Sequence, residues 1–522
     1  MSPALRYLVI LFALTCGAWP AWAAPEAALE RGTAITDPLA LRELDQGRFG
    51  IGRMLWPERS ADIPLGSGQL FALASTRPVR LAIDGEFDRY IARHKASLPN
   101  ESIGVGEGFG FQLFDRSLLD AGDTRFVLAG IVNRMDRAYV DEASCGEIRL
   151  IYRLTRTAAP GADGKAALAS RLPMTLNLVL KARGGVPIDR GGKSITCSEI
   201  AKRWLAAGEL SLTGRALAAK LLGEDGPLDL LGLENIDRIE TNLQIAHAPK
   251  STVRDFRTDY LLKVFRYDAQ AREFREAPME NQIDRDRILA DDGLKREFRA
   301  WLLNPEHLAA FDRGTVLIPE KFLARRAIAA TPVGFDNSVL QPAFGLMNGE
   351  GENPLFGEGD VVAALKKATA DGIKLQNIRS AGGFERRLND VTCSGCHQTR
   401  GIGGFHFPGV DWMTPNPSNS TVVPASPHFF GDQPRRRDIL AATRDGRSPD
   451  YSRGFASRPQ LRGARELAGT EYSDGWGAHC YAPGNSAASN DASFRAWTCA
   501  AGLACQITGK TARMGMCFVK SR

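Results

Sequence analysis

Cys393-Ser394-Gly395-Cys396-His397 sets two thiols and an imidazole in the spacing C-x-x-C-H. That spacing is the attachment signature of c-type haem. Two thiols one helical turn apart can each form a thioether with a vinyl group of one porphyrin, and the adjacent imidazole reaches the iron from the same side. Cys393 and Cys396 are therefore the expected anchors of a covalent haem c, and His397 is the expected proximal ligand of its iron. Other chemistries use the same atoms. Cys393 and Cys396 can close a local disulfide, or they can join His397 and a fourth ligand, His406 or His428, around zinc, which takes four ligands at tetrahedral geometry.

The distal iron position decides what a haem would do. A thioether there raises the potential and closes the iron, which suits electron transfer. A second imidazole lowers the potential, and an open position admits ligands or peroxide chemistry. Met413, sixteen residues beyond His397 in Trp-Met-Thr-Pro, is the first candidate. His428, in Pro-His-Phe-Phe, is the second. Phe405, Phe407, Phe429 and Phe430 could wall an apolar pocket or serve as ordinary core. Arg435, Arg436 and Arg437 follow. A charge run is ordinarily a solvated face; the sharper reading is a docking patch for an acidic redox partner, or cover for haem propionates.

The chain around this motif carries the marks of export. Residues 1–23 hold one charge (Arg6), an apolar run from Tyr7 to Leu14 and Ala21-Trp22-Ala23 before a cut near Ala24, the pattern of a signal peptide. The run is too short to span a bilayer, and no later stretch is long enough. Periplasm is the expected destination, with secretion as an alternative; Cys16 raises lipid anchoring at the outer membrane, although Ala13-Leu14-Thr15 fits a lipobox poorly. The 66 basic and 60 acidic residues give a net charge of +6, too mild to argue for nucleic acid. Nine cysteines become eight after signal removal. Setting aside the C-x-x-C-H pair leaves Cys145, Cys197, Cys480, Cys499, Cys505 and Cys517, an even set that predicts three disulfides in an oxidising compartment. Cys145 lies just before a strand and Cys197 just before a helix, so these two are expected to pair. The four tail cysteines allow three connectivities.

The elements that must position the motif follow from periodicity. Residues 126–132 form a nearly continuous apolar run. Residues 147–154 alternate, with Ile148, Leu150, Tyr152 and Leu154 on one face and Arg149 and Arg153 opposite. Residues 175–181, 236–246 and 260–267 are similar, and such patterns between Gly, Pro and Asp turns read as antiparallel sheet. Helices are expected over 198–207, 294–303, 360–370 and 383–388, the last leading into the cysteine motif. The fold class is α+β. A large antiparallel, sandwich-like β-rich domain covers 24–312, and a loop-rich linker covers 313–355. A smaller, mostly helical or irregular haem c-like module covers 356–465. A short disulfide-stapled tail, 473–522, is too small to bury much core without its cystines.

Residues 389–397 (NDVTCSGCH) resemble the attachment segment of a c-type cytochrome. The resemblance spans about a hundred residues and carries over Cys393, Cys396 and His397 alone. The wider chain resembles exported bacterial proteins of unassigned function. The pieces that carry this are Ile131-Val132-Asn133-Arg134, Cys145-Gly146-Glu147, Ile239-Glu240-Thr241-Asn242 and Gly404-Phe405-His406-Phe407. There is no G-x-S-x-G elbow and no H-E-x-x-H helix. Gly191-Gly192-Lys193-Ser194 resembles the end of a P-loop, but Pro187 stands where the first glycine is needed, and no residue is marked as catalytic. The expected function is an exported mono-haem protein for single-electron transfer or haem-based sensing. The alternative is a secreted β-sandwich binding protein in which Cys393 and Cys396 are structural and the tail is a recognition module. A haem enzyme would require an open distal site.

Overall fold

The structure is a computed structural model that describes residues 31–57, 64–156, 170–183, 195–229, 231–248, 257–332, 354–398, 432–455, 479–482, 491–495, 497–507 and 514–519. The expected signal segment lies outside these residues. So do Met413, His428 and His406, and the side chains of Cys396 and His397.

Ten strands form one sheet: β1 (Ala34–Ile35), β2 (Ile103–Val105), β3 (Phe111–Leu113), β4 (Thr124–Arg134), β5 (Glu147–Arg156), β6 (Ser170–Lys181), β7 (Ile236–His247), β8 (Arg257–Asp268), β9 (Glu273–Ala277) and β10 (Ala327–Pro332). The spine runs β1-β4-β5-β6-β7-β8, antiparallel throughout. β9 and β10 share the far edge of β8, β3 attaches to the end of β7, and β2 pairs parallel with β3. The fold is α+β, as its periodicity predicts. β10 lies within the segment expected as a loop-rich linker, and its residues extend the sheet.

Strand alternation gives the sheet two unlike faces. Ile148, Leu150, Tyr152 and Leu154 of β5 join Leu176 and Leu178 of β6, Ile239 and Leu243 of β7, and Leu261 and Phe265 of β8 in one apolar layer. Helices α1 (Pro38–Gln46), α2 (Arg77–Ser97) and α3 (Cys197–Gly208) contribute Leu41, Leu44, Ile83, Phe87 and Trp204 to the same core. Two polar contacts tie α2 down. Tyr90 donates to the Asp259 carboxylate at 2.7 Å, and the fully buried Lys263 ammonium lies 3.0 Å from Glu86 and 2.7 Å from Glu276. Burial alone would raise the Glu86 carboxyl. Hydrogen bonds from Arg89 and Arg326, with the Lys263 charge, outweigh it and bring it down from 4.5 to about 2.

A second core begins where β9 ends. Helices α4 (Asp292–Leu302), α5 (Pro305–Arg313), α6 (Glu358–Ala370) and α7 (Ala381–Asp390) meet through Phe298, Phe311, Val361 and Phe384. The motif helix α8 (Cys393–Gln398) follows and packs against β10. Helix α9 (Gln433–Arg444) packs against α3 and puts Leu440 into the first core. The tail forms a three-stranded sheet of β11 (His479–Tyr481), β12 (Leu503–Ile507) and β13 (Met514–Val519), with β13 central. Its Tyr481, Phe494, Trp497 and Met514 belong to the second core. Among the described residues no helix is long and apolar enough to cross a membrane.

Cys145 pairs with Cys197, as expected, fastening α3 to the start of β5. In the tail Cys480 pairs with Cys505 and Cys499 with Cys517, which selects one of the three open connectivities. Closing a loop of 52 residues restricts the unfolded chain by about 4 kcal/mol. The double variant Cys145→Ser/Cys197→Ser should lose about that much unfolding free energy in denaturant titrations, and an unchanged midpoint would contradict the tie. Glu86 gives a pH test. Its folded pKa lies below its unfolded value, so its contribution is complete above about pH 4.5 and is lost as pH falls towards 2. Unfolding measured across that window should show a shallower decline in Glu86→Gln than in the parent protein.

Candidate functional site

The opposite face of the sheet is polar, yet it too is buried. Arg149 and Arg153 of β5, Thr175 and Asn177 of β6 and Gln244 of β7 are all 5 % exposed or less. The face is covered by the 278–282 turn, by α7 and by the start of α8. Between these layers lies a cavity of about 590 Å³, lined by Arg149, Asn177, Glu240, Asn242, Met279 and Cys393 among others. That volume lies within the range of about 300–1,000 Å³ usual for small-molecule and cofactor sites.

A lattice of charges forms one end of the cavity. The Glu147 carboxylate lies 2.8 Å from Arg238, 3.0 Å from Arg149 and 3.2 Å from Arg137. Glu240 takes Arg149 at 2.9 Å and Arg238 at 2.8 Å, and Arg137 also pairs with Glu280. Burial alone would raise the Glu147 carboxyl; the Arg137, Arg238 and Arg149 guanidiniums outweigh it and hold it well below the usual carboxylate range. Glu147 reaches this position because Gly146 adopts φ +98°, and a Cβ there would sit 2.6 Å from the Arg134 carbonyl oxygen. Two hydrogen-bonding atoms on the floor are unmatched. The side-chain oxygens of Asn177 and Asn242 are buried and find no partner among the described residues. Such atoms call for water or a ligand.

Cys393 enters this cavity from the first position of α8. Thr392 caps the helix by accepting from the Gly395 N–H at 3.1 Å. Gln282 clamps the next residue twice: its carbonyl accepts from the Ser394 N–H at 3.1 Å, and its amide donates to the Ser394 hydroxyl at 2.9 Å. The middle glycine of the motif is sterically required. A Cβ on Gly395 would lie 2.7 Å from both the Asn389 carbonyl oxygen and the Thr392 hydroxyl. Cys393 is a free thiol. Burial, then the charges of Glu240 and Glu280, push it up to about 12, with Arg149 opposing. α8 sets positions 393 and 396 one turn apart on the backbone, as haem attachment requires.

The described residues meet a haem c in two respects, a protonated thiol on the cavity wall and a volume of cofactor size, while the rest of the lining is mostly charged side chains paired with one another. The arginine run is not the solvated face that a charge run ordinarily makes. Asp432 holds Arg435 and Arg436, each at 2.8 Å, and Arg435 also reaches Asp136 at 2.7 Å. Arg436 is buried and Arg437 is half-buried, its guanidinium reaching the Arg31 carbonyl. These side chains fasten α9 to the segment after β4, and two of the three charges are spent inside the protein.

Sequence reasoning missed Asn177, Asn242, Gln282 and Met279. A signal was available for the first two. Arg149, Asn177, Glu240 and Asn242 occupy alternate polar positions on three adjacent strands, so a common face follows once the strands are paired. Nothing local announces Gln282, which reaches α8 across 112 residues of chain, or Met279, which lines the cavity from the same turn. No protein-family model, curated protein or solved structure matches the chain.

Burial raises the Cys393 thiol to about 12, so it is almost wholly protonated at pH 8. Protein produced without haem attachment should label more slowly with iodoacetamide at Cys393 at pH 8 than the denatured chain does, as read by peptide mass mapping. Equal rates in the native and denatured protein would contradict the raised pKa.

Proposed function

We propose that this chain is an exported mono-haem protein. Cys393 and Cys396 hold haem c through thioethers, His397 is the proximal ligand, and the porphyrin occupies the cavity between the polar sheet face and α8. The observation that carries the reading is Cys393 itself. The first residue of a C-x-x-C-H is a free, protonated thiol on the wall of a cavity of cofactor size. Bound haem supplies a one-electron iron couple, which suits single-electron transfer.

The remaining roles belong to the chain's own residues. Gln282 and Thr392 fix the start of α8, so the thiol is held in place before any group is attached. Gly395 lets α8 lie against the end of α7. Arg149 and Arg238 line the cavity with their charges answered by Glu147 and Glu240, which keep those guanidiniums oriented. The sheet and the helical layer bury these ion pairs in part, and lowered local dielectric strengthens each of these interactions. Three disulfides and the pattern of residues 1–23 support folding outside the cytoplasm, with the periplasm as the compartment.

The binding-protein alternative has less support. It uses the cystine tail as a free recognition module, but Tyr481, Phe494, Trp497 and Met514 are packed into the second core. It also uses Cys393 in a disulfide, and Cys393 is a free thiol.

Protein exported from a host with c-type maturation should show a Soret band, stain for haem on a denaturing gel and carry the mass of one covalent haem. Cys393→Ala/Cys396→Ala should abolish all three. A correctly exported parent protein without haem sinks the proposal.

A further inference from the structure

The four tail cysteines lie closer together than their two bonds require. The sulfurs of Cys480, Cys499 and Cys517 are all within 4.8 Å of one another. Cys499 and Cys517 are bonded to each other, so one sulfur of the Cys480–Cys505 bridge lies beside both sulfurs of the second bridge. The strand register adds another juxtaposition. Cys505 of β12 stands directly opposite Cys517 of β13, yet each is bonded elsewhere. Directly opposed residues of an antiparallel pair have Cα atoms about 4.5–5.5 Å apart, inside the roughly 4.4–6.8 Å that a disulfide spans. On the other side of β13, Cys480 stands opposite Gly515, where a Cβ would sit 3.1 Å from the Cys505 sulfur. The glycine leaves that space to the sulfurs.

Access to the two bridges is unequal. Cys480 and Cys517 are fully buried, whereas Cys499 and Cys505 are half-buried. A thiolate from outside can therefore approach Cys505. The group it would displace is Cys480, the sulfur that adjoins the other bridge. Exchange of this kind is attack by a thiolate on one sulfur of a disulfide with expulsion of the other.

We propose that the tail is a disulfide-exchange site with two connectivities, triggered by a thiol at Cys505. The external thiolate bonds to the Cys505 sulfur and expels Cys480 as a thiolate. Cys480 attacks the Cys499 sulfur and expels Cys517. Cys517 attacks the Cys505 sulfur across the strand pair and expels the external thiolate. The product holds Cys480–Cys499 and Cys505–Cys517. Two disulfides have replaced two, the thiol is regenerated, and there is no net oxidation or reduction. Exchange frees β11 from β12 and ties it to the segment before β12. β11 holds His479 against Arg386 of α7 and puts Tyr481 into the second core, so the cover of α7 is what the exchange acts on. This goes beyond the haem reading and does not rest on it.

The test treats the full exported chain with reduced glutathione at pH 8 without denaturant, quenches with acid and maps unreduced peptides by mass spectrometry. Peptides joined through Cys480–Cys499 and Cys505–Cys517 should appear together while Cys145–Cys197 stays intact. Their rate of formation should rise about tenfold from pH 6 to pH 7, as the attacking thiolate does. Cys505→Ser supplies the Cys480 thiol directly, so Cys480–Cys499 should form in that variant with no thiol added. A treated parent that keeps its original bridges, products joined as Cys480–Cys517 and Cys499–Cys505, or a folded Cys505→Ser protein holding Cys499–Cys517 alone would each overturn the proposal. Equally fast exchange of Cys145–Cys197 would do the same, since it would mark general unfolding.

Discussion

The largely buried carboxylate of Glu147 gathers three guanidiniums, and much of the molecule is arranged around it. Arg149 comes from the same strand, Arg238 from β7 and Arg137 from the turn that follows β4. Each is held also by a second carboxylate, Glu240 or Glu280. Buried ion pairs are a poor source of stability, because desolvation offsets the attraction. Losing one partner is nevertheless costly, at about 3–5 kcal/mol, because the other charge is left stranded. Such a lattice specifies an arrangement more than it strengthens one. Here it fixes the register at which the polar sheet face meets the layer that carries α8.

That constraint explains the unusual character of α7. Its residues from Ala381 to Asn389 are all buried, and Glu385, Arg386 and Arg387 are among them. A helix of this composition belongs on a surface unless its polar groups are answered from every side. Arg387 donates to the Asp312 carbonyl at 2.7 Å and the Arg453 carbonyl at 2.8 Å. Arg386 pairs with Asp390 at 3.1 Å and donates to the His479 Nδ1 at 3.0 Å, which leaves the His479 proton on Nε2. The cystine tail thus closes over α7 by a histidine held beside Cys480. Ser380 caps the same helix and reaches Asp491. The helix leading to the motif is positioned by three separate stretches of chain.

Much of this was legible in the sequence, and the failures have a common cause. The alternation of 147–154 predicts β5, and the apolar run at 126–132 predicts β4. The placing of Cys145 before a strand and Cys197 before a helix predicts their bond. Each of these is a local signal. The same alternation put Arg149 and Arg153 on an apparent solvent face, and Arg435 and Arg436 read as a surface run, because the carboxylates that answer them lie far off in the chain: Glu240 for Arg149, Asp136 for Arg435. Periodicity says which side of a strand a residue occupies and is silent on whether that side is covered. Gln282 and Met279 were invisible for the same reason. The spacing of C-x-x-C-H singled out a segment, while the side chain that clamps it, Gln282, comes from a turn more than a hundred residues earlier.

The central claim of the proposal is spatial: a haem iron would lie between the polar face of the sheet and α8, beside Cys393. Crystals of the exported holoprotein, measured with X-rays on both sides of the iron absorption edge, test this directly. The account predicts one anomalous peak inside the cavity bounded by Arg149, Glu240, Met279 and Cys393. No iron peak, or a peak outside that cavity, would contradict it.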